Sequence, residues 1–323
     1  MIVDRYYYQQ LNKQEQAVYK TFYNGVMRHE EIIPILAQEK FTQETFERIF
    51  VAITRDNPLV YFLNQSTCSI AHDMYGHVAI CPQYFFTEEK VKVYNRKIEE
   101  VVNGLIQRLK LLECGEYEKE LRIHDWICQN ISYDYEGVDK NKLSRVIASH
   151  NILGVFAYHK AQCEGIAKAV KVLLNAVDVK CIVAAGNYIE NGKNIPHAWN
   201  VVNIEGKTYH LDVTGDLGVS DPEKGTVRYD YFNLADKLVE RDYRADFRLP
   251  EYKKIKFIVG DGAEICYNNL KNIDDVRLAS QTHRFQSAIG VCFEAMNAPE
   301  DQYIESAMLV PEYLRLPQAE REL

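Results

Sequence analysis

The sequence predicts an α+β protein with a helical N-terminal region, and three observations lead to that class. Amphipathic helical segments fill the first third of the chain. Farther along, one helix is followed by three consecutive strand-like segments, an order that favours an α+β fold over alternating α/β units. Hydrophobic residues make up 47% and charged residues 26% of the 323 residues, which excludes a wholly disordered chain, a collagen-like fibre and a bare coiled coil.

The N-terminal region, residues 1–115, is predicted to be mostly helical. Asn12 and Glu15 have the spacing of a capping box, and apolar residues follow at four-residue steps. A second helix is expected after Thr42. It should end before Pro58, because the residue that precedes a proline is disfavoured in the α region.

Strand-like segments interrupt this region at residues 60–86. The predicted strands cover residues 60–62, 68–71 and 78–81, with the turn of a β-hairpin at 73–76. Thr87 then has the position of a helix N-cap, and a long apolar stripe follows at helical spacing. We expect Gly115 to end that helix.

Two cysteines and two histidines in this hairpin suggest a zinc site at first sight. A turn at 74–75 would place His72 opposite His77 and Cys68 opposite Cys81, all on one face. The two pairs would then lie about 13 Å apart along the strands, whereas zinc–ligand bonds are only about 2.0–2.3 Å long. We therefore expect no metal there, and we also disfavour a Cys68–Cys81 disulfide.

Residues 116–250 are predicted to form the core that carries the chemistry. A helix over 116–130 contains His124, Asp125 and Trp126 in succession. Because adjacent residues on a helix do not face each other, a His–Asp dyad is disfavoured there, and Trp126 is assigned to the hydrophobic core.

The second half of this region is predicted as a helix followed by an antiparallel sheet. A helix begins near Ala161, and strands are expected at 179–186, 197–204 and 207–214, with a polar loop at 187–196. Residues 251–323 form a C-terminal extension, with a hairpin around 259–264 and a loose tail at 317–323.

Three residues of this region have positions suited to nucleophilic catalysis. Cys163 lies in the first turn of a helix, where unpaired N–H groups and the helix dipole favour a thiolate. His197 opens one strand and can exchange a proton with a thiol. Asp212, near the end of the next strand, can orient the imidazole.

The register of the hairpin tests whether His197 and Asp212 can meet. A two-residue loop at 205–206 places Asp212 opposite Trp199 and His197 opposite Thr214, so that His197, Trp199 and Asp212 share one face. His197 and Asp212 are then diagonal neighbours about 7–8 Å apart, a gap that their side chains can bridge. A three-residue loop would break this arrangement.

Each of these residues also has a plain structural interpretation. A lone cysteine on the apolar face of a helix is usually a small core residue, and an aspartate near a strand end is usually a turn former. Lys160 and Glu164 are either solvated charges at the helix end or groups that tune the thiolate. For His210, a structural role is favoured over a supporting role beside the site.

Three linked motifs in this order resemble the transglutaminase-like superfamily. The matching residues are Cys163, Gly165 and Ala167 in the helix, His197, Ala198, Trp199 and Asn200 in the first strand, and Tyr209, Leu211, Asp212 and Thr214 in the next. Residues 132–135, 229–232 and the YYYQQL opening resemble flanking segments of bacterial members. The resemblance is close over about 120–235 and looser over the N-terminal third.

The resemblance implies a papain-like fold in which a nucleophile helix packs on an antiparallel sheet. It implies a catalytic triad of Cys163, His197 and Asp212 that performs acyl transfer through a thioester without a cofactor. Trp199, Asn200 and Gln162 would support or line the cleft. Gln162 lies beside the nucleophile, whereas papain-type enzymes carry their oxyanion glutamine several residues earlier, so the second oxyanion donor has no assignment. The calcium loops and extra β-domains of animal transglutaminases are not visible either.

The predicted function is cysteine-dependent cleavage or transamidation of a peptide or side-chain amide, and the alternative is a catalytically silent binding module of the same fold. The substrate would be a peptide or protein. A nucleic acid is not expected as a partner because the net charge is −8, and a membrane is not expected because no apolar stretch reaches 18 residues. The eight scattered cysteines indicate reduced, mostly buried thiols. The N-terminal segment has no apolar run of signal-peptide type, so a cytoplasmic location is expected, with export of a form whose leader is missing as the alternative.

Overall fold

The computed structural model describes residues 5–36, 41–64, 67–75, 77–135, 147–190, 192–220, 226–234, 243–246, 256–258 and 276–278. Contacts divide the chain into two compact units, Met1–Lys254 and Ile255–Leu323. The first unit contains helices and antiparallel strands in separate layers, so the α+β class is confirmed. No helix in the described ranges is both long and apolar enough to cross a membrane.

The N-terminal region is helical, as predicted. Its helices are α1 (Tyr6–Gln10), α2 (Lys13–Met27), α3 (Gln43–Asp56) and α4 (Glu88–Arg108). The capping box of Asn12 and Glu15 is present, and the side chains of Thr42 and Thr87 cap α3 and α4. Capping by these short polar side chains therefore explains where three of the four helices begin.

Two local predictions in this region are wrong. Residues Pro58–Val60 form a 3-10 turn, not the start of a strand, because proline fixes the backbone angle that a helical turn requires. Helix α4 ends at Arg108, before a 3-10 turn at Leu111–Glu113. Gly115 is instead the N-cap residue of α5 (Glu116–Asn130).

A small sheet contains the predicted hairpin in a different register. Its strands are β1 (Ile33–Ile35), β2 (Ser69–His72) and β3 (Val78–Cys81), in the order β1-β3-β2. Cys81 pairs with Ser69, and His72 pairs with Val78. The turn is one residue longer than predicted because the Asp73 carboxylate accepts hydrogen bonds from the backbone N–H groups of Tyr75 and His77. The predicted pairs His72–His77 and Cys68–Cys81 do not form.

The core of the first unit is a four-stranded antiparallel sheet. Its strands are β6 (Lys180–Glu190), β7 (Lys193–Ile204), β8 (Lys207–Leu211) and β9 (Tyr243–Ala245), in the order β8-β7-β6-β9. Two short strands, β4 (Ser132–Tyr133) and β5 (Lys160–Ala161), form a separate parallel pair. The helices of this part are α6 (Ile152–Phe156), α7 (Cys163–Ala176) and α8 (Val213–Val219).

The predicted register of the β7–β8 hairpin is confirmed. Ile204 pairs with Lys207 and Asn200 with Leu211 across a two-residue turn, in which Glu205 and Gly206 both have positive φ. The predicted polar loop at 187–196 is wrong, because β6 and β7 extend through it and pair from Glu190 to Lys193. Strand β6 gains an edge partner, β9, that the sequence does not predict.

Helix α7 packs on one face of this sheet. Ala167 contacts Val183 and Ala198 there, and Cys163 packs against the same cluster. The opposite face carries Ile182, Ala184, Trp199, Val201 and Tyr243, which are all buried. The two faces follow from the alternation of side chains along each strand, and they place Cys163 and Trp199 on different layers of one core.

The N-terminal helices pack directly against this sheet. The hydroxyl of Tyr7 donates to the carbonyl of Val183 at 2.6 Å, and the carboxylate of Asp56 accepts from the backbone N–H groups of Tyr7 and Tyr8. Arg55 forms a two-pronged ion pair with Asp246, next to β9. The helical region therefore supports the sheet from its edge.

In the second unit, β10 (Lys256–Ile258) pairs in parallel with β11 (Val276–Leu278). The predicted hairpin around 259–264 and the predicted tail at 317–323 lie outside the described residues. The division into regions 1–115, 116–250 and 251–323 therefore stays a prediction.

Candidate active site

Cys163 is the first residue of helix α7 and is half-buried. Gln162 precedes it as the N-cap residue, with an extended backbone and no side-chain cap. Instead, the amide of Gln162 donates to the carbonyl of Asp134 at 3.0 Å, and its backbone N–H donates to the carbonyl of Ser149. These bonds fix the segment that leads into α7, so the cysteine lies at a defined helix N-terminus.

His197 and Asp212 are directly joined. The distance from His197 Nε2 to Asp212 Oδ2 is 2.7 Å. Burial works to lower the pKa of His197, but the Asp212 carboxylate and hydrogen bonds to Asp212 and Cys163 raise that pKa to about 10. The imidazole therefore lies between the thiol and the carboxylate and holds its proton at neutral pH.

Asp212 has a different local structure from the one predicted. Strand β8 ends at Leu211, and Asp212 is the N-cap residue of α8, where its Oδ1 accepts from the backbone N–H of Gly215. Thr214 consequently lies in a helix and not opposite His197. The hairpin register still brings Asp212 beside His197, because the chain turns into α8 only one residue after the last pair of the hairpin.

Trp199 and His210 form a buried layer beneath the site. The rings of His197 and Trp199 are nearly parallel, with an angle of 13° and centroids 6.2 Å apart. Trp199 Nε1 donates to His210 Nδ1 at 3.0 Å, so Nδ1 acts as an acceptor. His210 thus supports the site through Trp199 and does not touch the three central residues in the contacts described.

Asn200 lies on the α7 face of the sheet. Its Nδ2 atom donates to the carbonyls of Ala167 and Ile182 and contacts the sulfur of Cys181. Because its side chain is buried, Asn200 joins the helix to the sheet and does not line an open cleft. The residue therefore supports the relative position of Cys163 and His197.

Two tyrosines near the site are not among the predicted site residues. The hydroxyl of Tyr243, on β9, donates to Asp212 Oδ2 at 2.8 Å. Burial and the Asp212 charge raise the pKa of Tyr243 strongly. Tyr133, on β4, lies beside Cys163, whose backbone N–H donates a hydrogen bond to the Tyr133 hydroxyl. The sequence offers no signal for Tyr243, whereas Tyr133 belongs to a segment already singled out by its resemblance.

The His–Asp contact that helix geometry disfavoured is present. His124 Nδ1 lies 3.0 Å from Asp125 Oδ1, and His124 Nε2 lies 3.1 Å from Asp216 Oδ2, on α8. Cys128 approaches the same Nε2 atom. The prediction failed because the short aspartate side chain can turn towards the ring of the residue before it. Trp126 is buried, as predicted.

The charges that flank Cys163 are paired with other groups. Lys160 Nζ lies 3.2 Å from Asp134 Oδ1, and Glu164 forms an ion pair with Lys168 at 2.7 Å.

Within the described ranges, no group of three or more histidine, cysteine or carboxylate side chains is arranged to hold a metal ion.

The part of the chain that contains the residues of this site is similar to known proteins. Residues 105–213 match the family model of the Transglutaminase-like superfamily. Over 145 residues, the chain is 27% identical to Kyphoscoliosis peptidase from Mus musculus, a match that covers 42% of this chain and 21% of the mouse protein. The matched part is thus about a fifth of that relative.

Two solved structures show weaker likeness. A transglutaminase (TGase) crystal structure matches 57% of this chain and 50% of its own, with 16% identity and a TM-score of 0.32. A candidate cysteine protease from Cytophaga hutchinsonii matches 50% of this chain and 64% of its own, with 12% identity and a TM-score of 0.30. Residues 105–213, which contain Cys163, His197 and Asp212, are therefore similar to the transglutaminase-like superfamily.

Proposed function

We propose that the protein is a cysteine-dependent acyl-transfer enzyme that cleaves or transamidates a peptide or side-chain amide through a thioester. One observation carries the proposal: the imidazole of His197 is bonded to Asp212 on one side and to Cys163 on the other. A nucleophile, a proton carrier and an orienting carboxylate are the three groups that such chemistry needs.

The first half of the reaction uses the proton on His197. Cys163 Sγ, as thiolate, attacks the amide carbon, and an S–C bond forms. The C–N bond then breaks as the imidazolium of His197 gives its proton to the leaving amine. Asp212 holds the imidazole ring of His197 in place and stabilises its charged form during this transfer.

The second half returns the site to its starting state. Water or an amine attacks the thioester carbon and gives a proton to the neutral imidazole of His197. The S–C bond breaks, and the thiolate of Cys163 is restored. Water gives hydrolysis and an amine gives transamidation, so the two outcomes differ only in which nucleophile reaches the thioester.

The substrate is proposed to be a peptide or protein amide. The family match and the paired imidazole support an amide, and the net charge of −8 disfavours a phosphate backbone as the partner. The name of the mouse relative, a peptidase, is consistent with this class.

The proposal is tested by trapping the acyl-enzyme. The protein is mixed with p-nitrophenyl acetate, and intact mass and peptide mapping locate the acetyl group. We expect one acetyl group on Cys163 that hydroxylamine removes, as a thioester requires. It should be absent from Cys163→Ala and retained by the matched variant Cys81→Ala, which changes another half-buried cysteine. Failure of Cys163 to acylate would favour a binding module of the same fold.

A further inference from the structure

We propose that Tyr133 is the second oxyanion donor of this site, acting together with the backbone N–H of Cys163. This inference rests on the proposed acyl-transfer function and deepens it. A tetrahedral intermediate carries a negative oxygen, which two preorganised donors stabilise better than one. The helix N-terminus supplies one donor through Cys163, and the other donor must come from a different element.

The short parallel pair of strands β4 and β5 places Tyr133 at the N-terminus of α7. Tyr133 pairs with Ala161, only two residues before Cys163. The neighbouring backbone bonds hold this register, since Ser132 N–H donates to His159 and Asp134 N–H donates to Ala161, each at 3.0 Å. Tyr133 therefore has a fixed distance from the start of the helix.

The side chain of Tyr133 reaches the nucleophile. Its hydroxyl oxygen accepts a hydrogen bond from the backbone N–H of Cys163, and the charges of Cys163 and Asp212 act on the phenol. Burial, and then the charge of Cys163, raise the pKa of Tyr133 to about 12. At neutral pH the phenol is thus an intact O–H donor. The side chain of Tyr133 is half-buried and lies against the exposed ring of Tyr135.

Two other side-chain donors close to the site are engaged elsewhere. The amide of Gln162 donates to the carbonyl of Asp134. The indole N–H of Trp199 donates to His210 in the buried layer under the site. Tyr133 is the neighbour whose hydroxyl meets the backbone N–H of Cys163.

The proposed step is a hydrogen bond and not a proton transfer. When Cys163 Sγ bonds to the amide carbon, the electron pair of the C=O double bond moves to oxygen. That oxygen takes the place of the phenol oxygen beside the Cys163 N–H, and the Tyr133 O–H turns to donate to it. When the C–N bond breaks, the pair returns to the double bond and Tyr133 keeps its proton.

Two reagents separate this role from support of the nucleophile. Acylation by p-nitrophenyl acetate passes through a tetrahedral oxyanion, whereas alkylation by iodoacetamide is a direct displacement that forms none. In Tyr133→Phe we expect acylation of Cys163 to slow about 10²-fold, the low end of the loss seen when an oxyanion donor is removed. Alkylation of Cys163 should keep its wild-type rate. Tyr135→Phe, the matched control, should keep both rates.

Several outcomes would overturn the proposal. Unchanged or faster acylation in Tyr133→Phe would show that the hydroxyl is dispensable or blocks the nucleophile. If the acylation and alkylation rates of Tyr133→Phe fall equally, Tyr133 positions Cys163 and does not stabilise an oxyanion. If wild-type Cys163 is inert to iodoacetamide as well, the proposed function itself fails, and the oxyanion role fails with it. Failure of the oxyanion role alone would give a different result. The wild-type Cys163 would alkylate rapidly, and the Tyr133→Phe variant would acylate at the wild-type rate.

Discussion

Asp212 is bound from two sides, which makes its carboxylate a fixed acceptor for His197. Oδ1 accepts a hydrogen bond from the backbone N–H of Gly215. Oδ2 accepts hydrogen bonds from His197 and from the hydroxyl of Tyr243. Hydrogen bonds to a charged acceptor are stronger than those between neutral groups. The orientation of the imidazole therefore depends on Tyr243 as well as on Asp212.

Tyr243→Phe should destabilise the protein by about 1.5–3 kcal/mol, because it removes a buried hydrogen bond to a charged group. Equilibrium denaturation measures this change in unfolding free energy. The exposed Tyr75→Phe serves as control and should change it by less than about 0.5 kcal/mol. Equal stability of the two variants would show that the hydroxyl of Tyr243 contributes nothing to Asp212.

Asp212→Asn should lower the pKa of His197 from its value of about 10, because the carboxylate is the main group that raises it. NMR titration of the imidazole measures the shift directly. In the wild type, the raised pKa stabilises the fold fully below the unfolded value of about 6.5. That contribution is lost as pH rises through about 10. An unchanged titration in Asp212→Asn would contradict the pairing.

At the scale of elements, helix α8 is anchored by a buried charge cluster. His124, on α5, binds Asp216 of α8, while the other Asp216 oxygen accepts the backbone N–H of Tyr231. Asp212 begins the same helix. Burial lowers the pKa of His124, but hydrogen bonds to Asp125, Asp216 and Cys128 raise it to about 11, so the imidazole stays charged. The anchor keeps the N-terminus of α8 facing His197.

His124→Ala should lower the unfolding free energy by about 3–5 kcal/mol, because it leaves the Asp216 carboxylate buried without its cation. The exposed His72→Ala is the control and should be close to neutral. Chemical denaturation compares the two variants. In the wild type this contribution should be complete below about pH 6.5 and be lost as pH rises through about 11. A neutral His124→Ala would refute the anchor.

Gly186→Ala should displace strand β9. Gly186 pairs with His197 on one side and Ala245 on the other, and a Cβ there would overlap the carbonyl oxygen of Arg244. We expect a loss of about 1–3 kcal/mol in unfolding free energy, as for other overpacked sites. Gly104→Ala, whose Cβ meets nothing within 4 Å on helix α4, should instead stabilise by about 0.4–1 kcal/mol. If Gly186→Ala and Gly104→Ala change the unfolding free energy equally, the strand around Arg244 does not approach Gly186 as closely as described.

On the scale of the whole molecule, the N-terminal helices and the core are joined by buried polar contacts. Asp56 accepts the backbone N–H groups of Tyr7 and Tyr8 in the first turn of α1, and the hydroxyl of Tyr7 donates to the sheet. Asp56→Ala should cost about 1–3 kcal/mol, because it leaves buried N–H groups unpaired. The exposed Asp230→Ala should be nearly neutral. A single shared unfolding transition is expected, and two separate transitions would show that the regions are independent.

The sequence predicts the parts of this fold that depend on local spacing. A capping residue such as Thr87 predicts where its helix begins, and the turn at 205–206 predicts the register of the β7–β8 hairpin. That register, with side chains alternating between the two faces, predicts that His197 lies beside Asp212. Contacts across long separations are not predictable in this way. Tyr243 meets Asp212 only because β9 pairs with the distant β6, and His124 meets Asp216 only after α5 and α8 pack. The longer turn at Asp73 is not predictable from spacing, because it depends on hydrogen bonds from backbone N–H groups to the Asp73 side chain.

The alkylation rate of Cys163 tests the central claim most directly. Iodoacetamide is applied at about pH 6.5, well below the pKa of a free thiol, and peptide mapping follows each cysteine in the wild type and in His197→Ala. We expect Cys163 to react far faster than Cys68, whose pKa burial raises to about 12. In His197→Ala, Cys163 should lose that advantage. If Cys163 reacts no faster than Cys68, or equally fast without His197, the thiol–imidazole pair does not operate.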